Sequence, residues 1–296
     1  MIEYKSCPNC GSGDISYILS AKDNTVSGEE FEIWECKNCS IRFTQNIPDR
    51  ENIARYYQSE KYISHSDTNE GLVNKLYHLV RKRTLLKKQN LVEHSTKKKH
   101  GSILDLGAGT GAFLNTMQLA GWDSVGLEPD TTARKKAREL YGLNLKESNE
   151  LFSLASDNFD AITLWHVLEH VHQLHEYVIK FRELLKKDGK LFIAVPNFTS
   201  KDAATYKKYW AAYDVPRHLY HFSPKSMEIL LNTHGFILEK IQPMWYDSVY
   251  VSMLSEKYKT GKANNVNALI NGVASNLNAF FDNSKCSSLI YIASPK

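Results

Sequence analysis

No stretch of this chain approaches the ~18 consecutive apolar residues that a membrane-spanning helix needs, and no apolar segment with a basic flank stands near its start. A helical membrane span is therefore excluded, a secretory leader is not in view, and the expected location is the cytoplasm. Charge of one sign is scarce too: 37 Lys and Arg stand against 33 Asp and Glu, and a net +4 is too small to argue for a nucleic-acid partner. No internal repeat is visible, so a solenoid or propeller does not explain the length. What is present is 296 residues with 42% hydrophobic content, enough for one full α/β domain plus something smaller.

The few cysteines, five in all, are not scattered. Four form "CPNC" (Cys7, Cys10) and "CKNC" (Cys36, Cys39), with 25 residues between the pairs. Two such knuckles let four thiolates converge tetrahedrally on one zinc ion, and Gly11 permits the tight turn that aims backbone N–H groups at sulfur. Two disulfides or four unrelated thiols are the competing readings, and the absence of a leader disfavours them. Four thiolates leave zinc no open position, so the metal is expected to be structural, folding a zinc-ribbon module over residues 1–46 that is too small to hold itself together. Cys286 stands alone with nothing local to activate it, and reads as a small buried residue.

Residues 47–100 read as a connector. "YYQSEKYISHSDTNEG" at 56–71 is an arm rich in Tyr, Ser and charge. Residues 72–94 carry apolar side chains near helical spacing, with Arg81, Lys82, Arg83, Lys87 and Lys88 between them. The resulting amphipathic helix presents a basic face, which RNA or acidic lipid can bind but which is more commonly just solvated.

From residue 102 onward short apolar runs alternate with helical segments, the pattern of βαβ units around a mainly parallel sheet, in a domain spanning 101–296. Strands are expected at 102–106, 124–128, 143–146, 159–165, 189–195, 236–243 and 288–293, and helices most clearly at 111–120, 131–141, 173–187 and 224–234. A helical insert at 247–287 carries Val266, Leu269, Ile270, Val273, Leu277, Phe280 and Phe281 on one face. Core packing is its default role, and the face of a homo-oligomer or a substrate surface are the alternatives.

Gly107, Gly109 and Gly111 let the backbone approach a ligand at the carboxyl end of the first of these strands, where open α/β sheets place their sites. With Ala112 and Glu128 the same letters nearly satisfy a dinucleotide fingerprint, so spacing does not separate two cofactors. Asp105 does. Two residues before the turn, its carboxylate would repel a pyrophosphate across a poorly screened cavity but attract a cation. S-adenosylmethionine carries an ammonium, a sulfonium and no phosphate, so Asp105 beneath the loop and Glu128 for the ribose suit it. The plainer alternative is an acid that caps local N–H groups.

At these residues the chain resembles the class I S-adenosylmethionine-dependent methyltransferases, over roughly residues 102–245. "LDLGAGTG" (104–111) is similar to their first motif and "VGLEPD" (125–130) to the second. "FDAITLWHVLEHV" (159–171) is similar to the fourth-strand motif with the "LEH" of one large subgroup, and "LLKKDGKLFIAVPN" (184–197) completes the series. The resemblance implies an α/β, Rossmann-like, seven-stranded, mainly parallel sheet with a reversed final strand pair. It places Gly107, Ala108, Gly109 and Gly111 along the cofactor's methionine and ribose, Glu128 beside Pro129 on the ribose hydroxyls, Ser148 or Asn149 near the adenine, and Trp165 at the strand end beside them. The zinc-ribbon front, the arm and "WAAYDVPRHLYHFSPKSM" (210–227) narrow the likeness to a subgroup that modifies sugars and secondary metabolites. Its sugar C-methyltransferases carry "HEH" followed by "YFS", which sets His218 on the second His, their base. Arg217 replaces their Glu and their extra C-terminal domain is missing, which weakens C-methylation.

Methyl transfer needs alignment, exclusion of water and, for a hydroxyl or carbon acid, removal of a proton, work a histidine does near neutral pH. The candidates are His218, then His166 directly after the fourth strand, then His221, and a satisfied structural histidine is the competing role. His170, His172 and His175 with Glu169 resemble a metal cluster only loosely, and surface or capping roles are expected for them. Tyr57, Tyr62 and His65 in the arm are candidates to close over the acceptor, and Trp210, with Arg217 near it, to contact a sugar or aromatic ring. The leading expectation is O-methylation of a small-molecule or glycan acceptor. An RNA methyltransferase gripping nucleic acid through the zinc ribbon, a sugar C-methyltransferase and a non-catalytic binding module are the alternatives. Sequence alone does not name the acceptor, the methylated atom, the oligomeric state or the lid.

Overall fold

The computed structural model describes residues 1–58, 72–262 and 265–296. Behind the cysteine knuckles an antiparallel meander forms from β1 (Ile15–Lys22), β2 (Glu30–Cys36) and β3 (Arg42–Thr44). Alternation in "EFEIWEC" buries Phe31 and Ile33 on one face of β2 while Glu30 and Glu32 face water. A turn of 3-10 helix over Ile53–Tyr57 follows, and helix α1 (Leu72–Thr96) leads to the second sheet.

That sheet is built by β4 (Ser102–Leu106), α2 (Ala112–Leu119), β5 (Asp123–Leu127), α3 (Thr131–Tyr141), β6 (Phe159–Trp165), α4 (Leu174–Leu184) and β7 (Leu185–Pro196). After it come α5 (Lys201–Tyr206), β8 (Tyr220–His221), α6 (Pro224–Thr233), β9 (Phe236–Pro243), α7 (Asp247–Thr260), α8 (Asn265–Phe281) and β10 (Ser288–Pro295). Its order is β5-β4-β6-β7-β10-β9, with β4, β5, β6 and β7 parallel and β10 running against both β7 and β9. The near-continuous apolar runs of β6 and β7 fit strands covered by helices on both faces. Local chemistry sets the helix ends: Asp130 caps α3 through Ala133 N at 2.6 Å, Gly142 closes it in the left-handed region, and Ser223 with Pro224 starts α6 through a capping box.

The architecture is the expected α/β one with its reversed final pair, but the sheet has six strands. The seventh, expected at 143–146, is reduced to one parallel bridge, Leu127 to Lys146. Leu143 is drawn instead into a small cluster with Leu114 and Ala137, and beyond Lys146 a capping box between Glu147 and Glu150 turns the chain into 3-10 helix. Packing is continuous across residue 46. Strand β8 completes the N-terminal sheet beside β3, and one apolar cluster joins Cys7, Cys36, Cys39, Ile41 and Phe43 to core residues such as Leu104 and Leu164. Among the described residues no helix is long and apolar enough to cross a membrane.

Candidate active site

At the end of β4 the chain turns through Gly107, Gly109 and Gly111, with φ of 69°, 56° and 79°. A Cβ on Gly107 would run into Val167 Cγ2, whereas one on Gly109 would meet nothing within 4 Å, so the loop is tight beneath and open above. Gly107 N and Ala108 N donate to Leu127 O at 2.7 and 3.0 Å, which fixes the turn against β5. Asp105 lies under it, 2% exposed, accepting from Thr163 Oγ1 at 2.6 Å. Burial pushes its carboxyl up to about 7, while the Thr163 hydroxyl and the Lys88 ammonium pull the other way. Glu128, also buried, accepts from Gly109 N at 2.7 Å and Asp130 N at 2.9 Å, and burial raises it as well. Exposed Pro129 follows it. Half-buried Ser148 and exposed Asn149 lie past the Lys146 bridge beside β5.

Lys88 departs from the solvated face expected for α1, on which Lys82, Arg83 and Lys87 are exposed. Its Nζ sits 4.1 Å from the centre of the Trp165 ring, which Phe113 meets edge-on at 5.4 Å. Burial pulls the ammonium down to about 8, and the charges of Asp105 and Asp247 work against that fall. Trp165 thus joins the glycine turn to α1, with its buried Nε1 unpartnered among the described residues.

Past β6 the histidines separate into distinct environments. His166, in a left-handed conformation (φ 59°), places Nδ1 3.3 Å from Glu169 Oε1 and Nε2 3.0 Å from Asp247 Oδ2. Burial alone would lower it, but these carboxylates push it up to about 10, so it is a cation at neutral pH. His218 is nearly buried, with Nδ1 2.8 Å from Ala212 O, and its ring stands edge-on to His170 at 4.6 Å between centres. Burial and His218 hold His170 down to about 4, and its Nδ1 lies 3.1 Å from the Tyr57 hydroxyl. His221 lies on the N-terminal sheet, its Nε2 3.2 Å from Thr44 Oγ1, with burial keeping it well below the usual range. His172 and His175 reach Pro48 O and Pro8 O, both at 2.9 Å, and tie the first residues to α4 and the turn before it.

Two residues expected against an acceptor are buried and tied to aspartates. Arg217 is 1% exposed and holds Asp214 at 2.6 Å, Asp23 at 3.1 Å and Tyr56 O at 2.7 Å, because a guanidinium taken out of water needs its donors filled. Trp210, 2% exposed, donates to Asp202 Oδ2 at 2.8 Å. Tyr62 and His65 lie outside the described residues. Thr163 and Asp247 had no local signal, since long-range pairing alone brings Thr163 to Asp105 and Asp247 to His166.

The four cysteines converge as their spacing implies. Cys7 and Cys39 Sγ are 3.5 Å apart, Cys10 and Cys36 Sγ 3.6 Å, and all four ligand atoms lie within 4.8 Å of one another. A zinc tetrahedron with bonds of about 2.3 Å has edges of about 3.8 Å, so the set fits. Asn9 N points at Cys7 Sγ (3.4 Å) and Asn38 Nδ2 at Cys10 Sγ (3.5 Å). The hydrogen bond from the Cys7 thiol holds Cys39 below its ordinary value, while that bond and burial raise Cys7.

A family model described as a methyltransferase domain matches residues 78–241, more than half of the chain. An uncharacterized methyltransferase of Bacillus cereus is 28% identical over 119 residues, 39% of this chain and 56% of that protein. One from Anoxybacillus flavithermus is 27% identical over 160 residues, 50% of this chain and 75% of that protein. The chain thus spans about half the length of the first of these relatives. The crystal structure of a SAM dependent methyltransferase from Archaeoglobus fulgidus is similar with a TM-score of 0.47 and 20% identity, covering 74% of this chain and 99% of that one. The matched span holds the glycine turn, both acids and the histidines past β6, and the chain belongs to the methyltransferase-domain family.

Proposed function

We propose that the protein methylates a hydroxyl of a small-molecule or glycan acceptor, using S-adenosylmethionine. The observation that carries this reading is the pair of buried acids, Asp105 and Glu128, under and beside a glycine turn whose Gly109 faces open space. A site of that sign favours a cationic cofactor without phosphate. When bound, S-adenosylmethionine supplies an electrophilic methyl carbon. Asp105 is assigned to its ammonium, Gly107, Ala108, Gly109 and Gly111 to its methionine and ribose, Glu128 beside Pro129 to the ribose hydroxyls, Ser148 or Asn149 to the adenine, and Trp165 to the wall shared with α1.

The acceptor is assigned to the region past β6 where partly exposed His166 and His170 adjoin buried Glu169 and His218. His218 donates Nδ1–H to the Ala212 carbonyl, which leaves the Nε2 lone pair to take a hydroxyl proton. His166, with both ring nitrogens facing carboxylates, is assigned to orienting charge. His221, buried against Thr44, holds the sheet. Tyr57 reaches this cluster through His170 and makes the start of the arm its near wall. In domain terms, residues 1–46 are a module folded on structural zinc held by Cys7, Cys10, Cys36 and Cys39. Residues 47–100 are the connecting arm and helix, and 101–296 are the methyltransferase domain with its insert at 247–287.

The test is transfer of a radiolabelled methyl group from S-adenosylmethionine into extract of the source cell, split into RNA, protein, glycan and small-molecule fractions. Label in the glycan or small-molecule fraction, lost with His218→Ala, is the expected result. RNase-sensitive label would overturn the acceptor class.

A further inference from the structure

Glu169, His170 and His218 share a geometry that a single proton acceptor does not require. One ligand atom from each lies within 4.8 Å of the other two. The Glu169 side chain is wholly buried, and while Oε1 meets His166 Nδ1 at 3.3 Å, Oε2 has no hydrogen-bond partner among the described residues. A buried carboxylate oxygen without a donor is costly, and native structures supply one.

Both imidazoles are also anchored through Nδ1 to a backbone carbonyl. His170 Nδ1 lies 3.0 Å from Arg217 O, and His218 Nδ1 lies 2.8 Å from Ala212 O. A carbonyl oxygen only accepts, so each Nδ1 carries the proton and each Nε2 keeps its lone pair. Asp214 Oδ2, 3.9 Å from His218 Nε2, is beyond hydrogen-bond reach. Histidines whose Nδ1 is tied to a backbone carbonyl (the Tyr57 hydroxyl, 3.1 Å from His170 Nδ1, then accepts), with Nε2 left unprotonated in a cluster that holds an unpartnered carboxylate oxygen, have the outer-sphere arrangement of metal ligands.

We propose that Glu169, His170 and His218 bind one divalent first-row transition-metal ion, at a site separate from the four-cysteine cluster. Two imidazole nitrogens and one carboxylate oxygen suit zinc, iron(II), cobalt or nickel and are a poor set for magnesium or calcium. Three protein ligands leave a coordination position open, the mark of a site that takes a small-molecule oxygen. For the place of the acceptor the inference rests on the function proposed above, and it changes how His218 acts. With the ion bound, His218 is a ligand, and the acceptor hydroxyl releases its proton to water as its oxygen joins the ion. That oxygen then forms the bond to the methyl carbon while the carbon–sulfur bond of S-adenosylmethionine breaks, its electron pair leaving with the sulfide product.

The test loads the full-length chain with cobalt(II), desalts it and counts metal. Two ions per wild-type chain, falling to one in Glu169→Gln and in His170→Ala with the near-ultraviolet thiolate-to-cobalt band unchanged, is the expected result. That band reports an intact cysteine cluster in each variant. One ion per wild-type chain, or two retained in Glu169→Gln, would overturn the site. Titrating S-adenosylmethionine into the same wild-type sample separates the two claims: cofactor binding without a second ion removes the ion site alone, and a second ion without cofactor binding removes the methyl-transfer reading alone.

Discussion

Asp105→Asn keeps the shape of the side chain, leaves an oxygen to accept from Thr163, and removes the charge. If the carboxylate receives the ammonium of S-adenosylmethionine, a charge-assisted hydrogen bond worth about 1.5–3 kcal/mol is lost, which is roughly 10- to 150-fold in Kd. The wild-type pH profile follows from burial, which pushes Asp105 up to about 7. The ionised form binds the cation, so below about pH 7 each unit costs about tenfold in affinity as a proton must be released, and the Asn variant loses this slope. Stability has the opposite sign. A carboxyl raised on folding favours the folded chain below its ordinary value of about 3.9, and that contribution is lost as pH rises through about 7. Calorimetric titration of S-adenosylmethionine from pH 6 to 8 reads the first effect, and denaturant unfolding over pH 4 to 8 reads the second. An unchanged Kd in the variant, or a pH-independent Kd in the wild type, would refute the role given to Asp105.

Gly107→Ala combines a left-handed backbone with a Cβ driven into Val167, and should cost about 1–3 kcal/mol; thermal unfolding should rank it well below Gly109→Ala, whose Cβ meets open space, and equal losses would contradict the geometry. Cys36→Ser should abolish the thiolate-bound ion and, because β3 pairs with β8, expose the N-terminal strands to protease; retention of that ion would sink the structural-zinc assignment. Arg217→Ala leaves Asp23 and Asp214 without their cation, a loss of about 3–5 kcal/mol that an unmoved denaturation midpoint would rule out.

The sheet was legible because strands such as "SILDL" and "KLFIAVP" are short, apolar and bounded by turns, and the glycine turn because only glycine fits at Gly107. The cysteine cluster was legible for the same reason, since its spacing is itself the geometry. What escaped was everything decided between distant segments. The two-residue strand β8 exists only because β3 lies beside it, and Lys88 leaves the solvated face of α1 for an indole and two carboxylates far along the chain. Arg217 and Trp210 looked like recognition residues by type, yet burial ties both to aspartates. His170 and His218 stand far apart in the sequence, and their edge-on contact arises only where the loop before β8 folds back on Glu169.

The central claim, that the acidic glycine turn takes a cation-bearing cofactor, is tested most directly by titrating the purified chain in parallel with S-adenosylmethionine and with NADH at pH 8. The account predicts saturable binding of S-adenosylmethionine and none of NADH. Binding of NADH, or of neither, would contradict it.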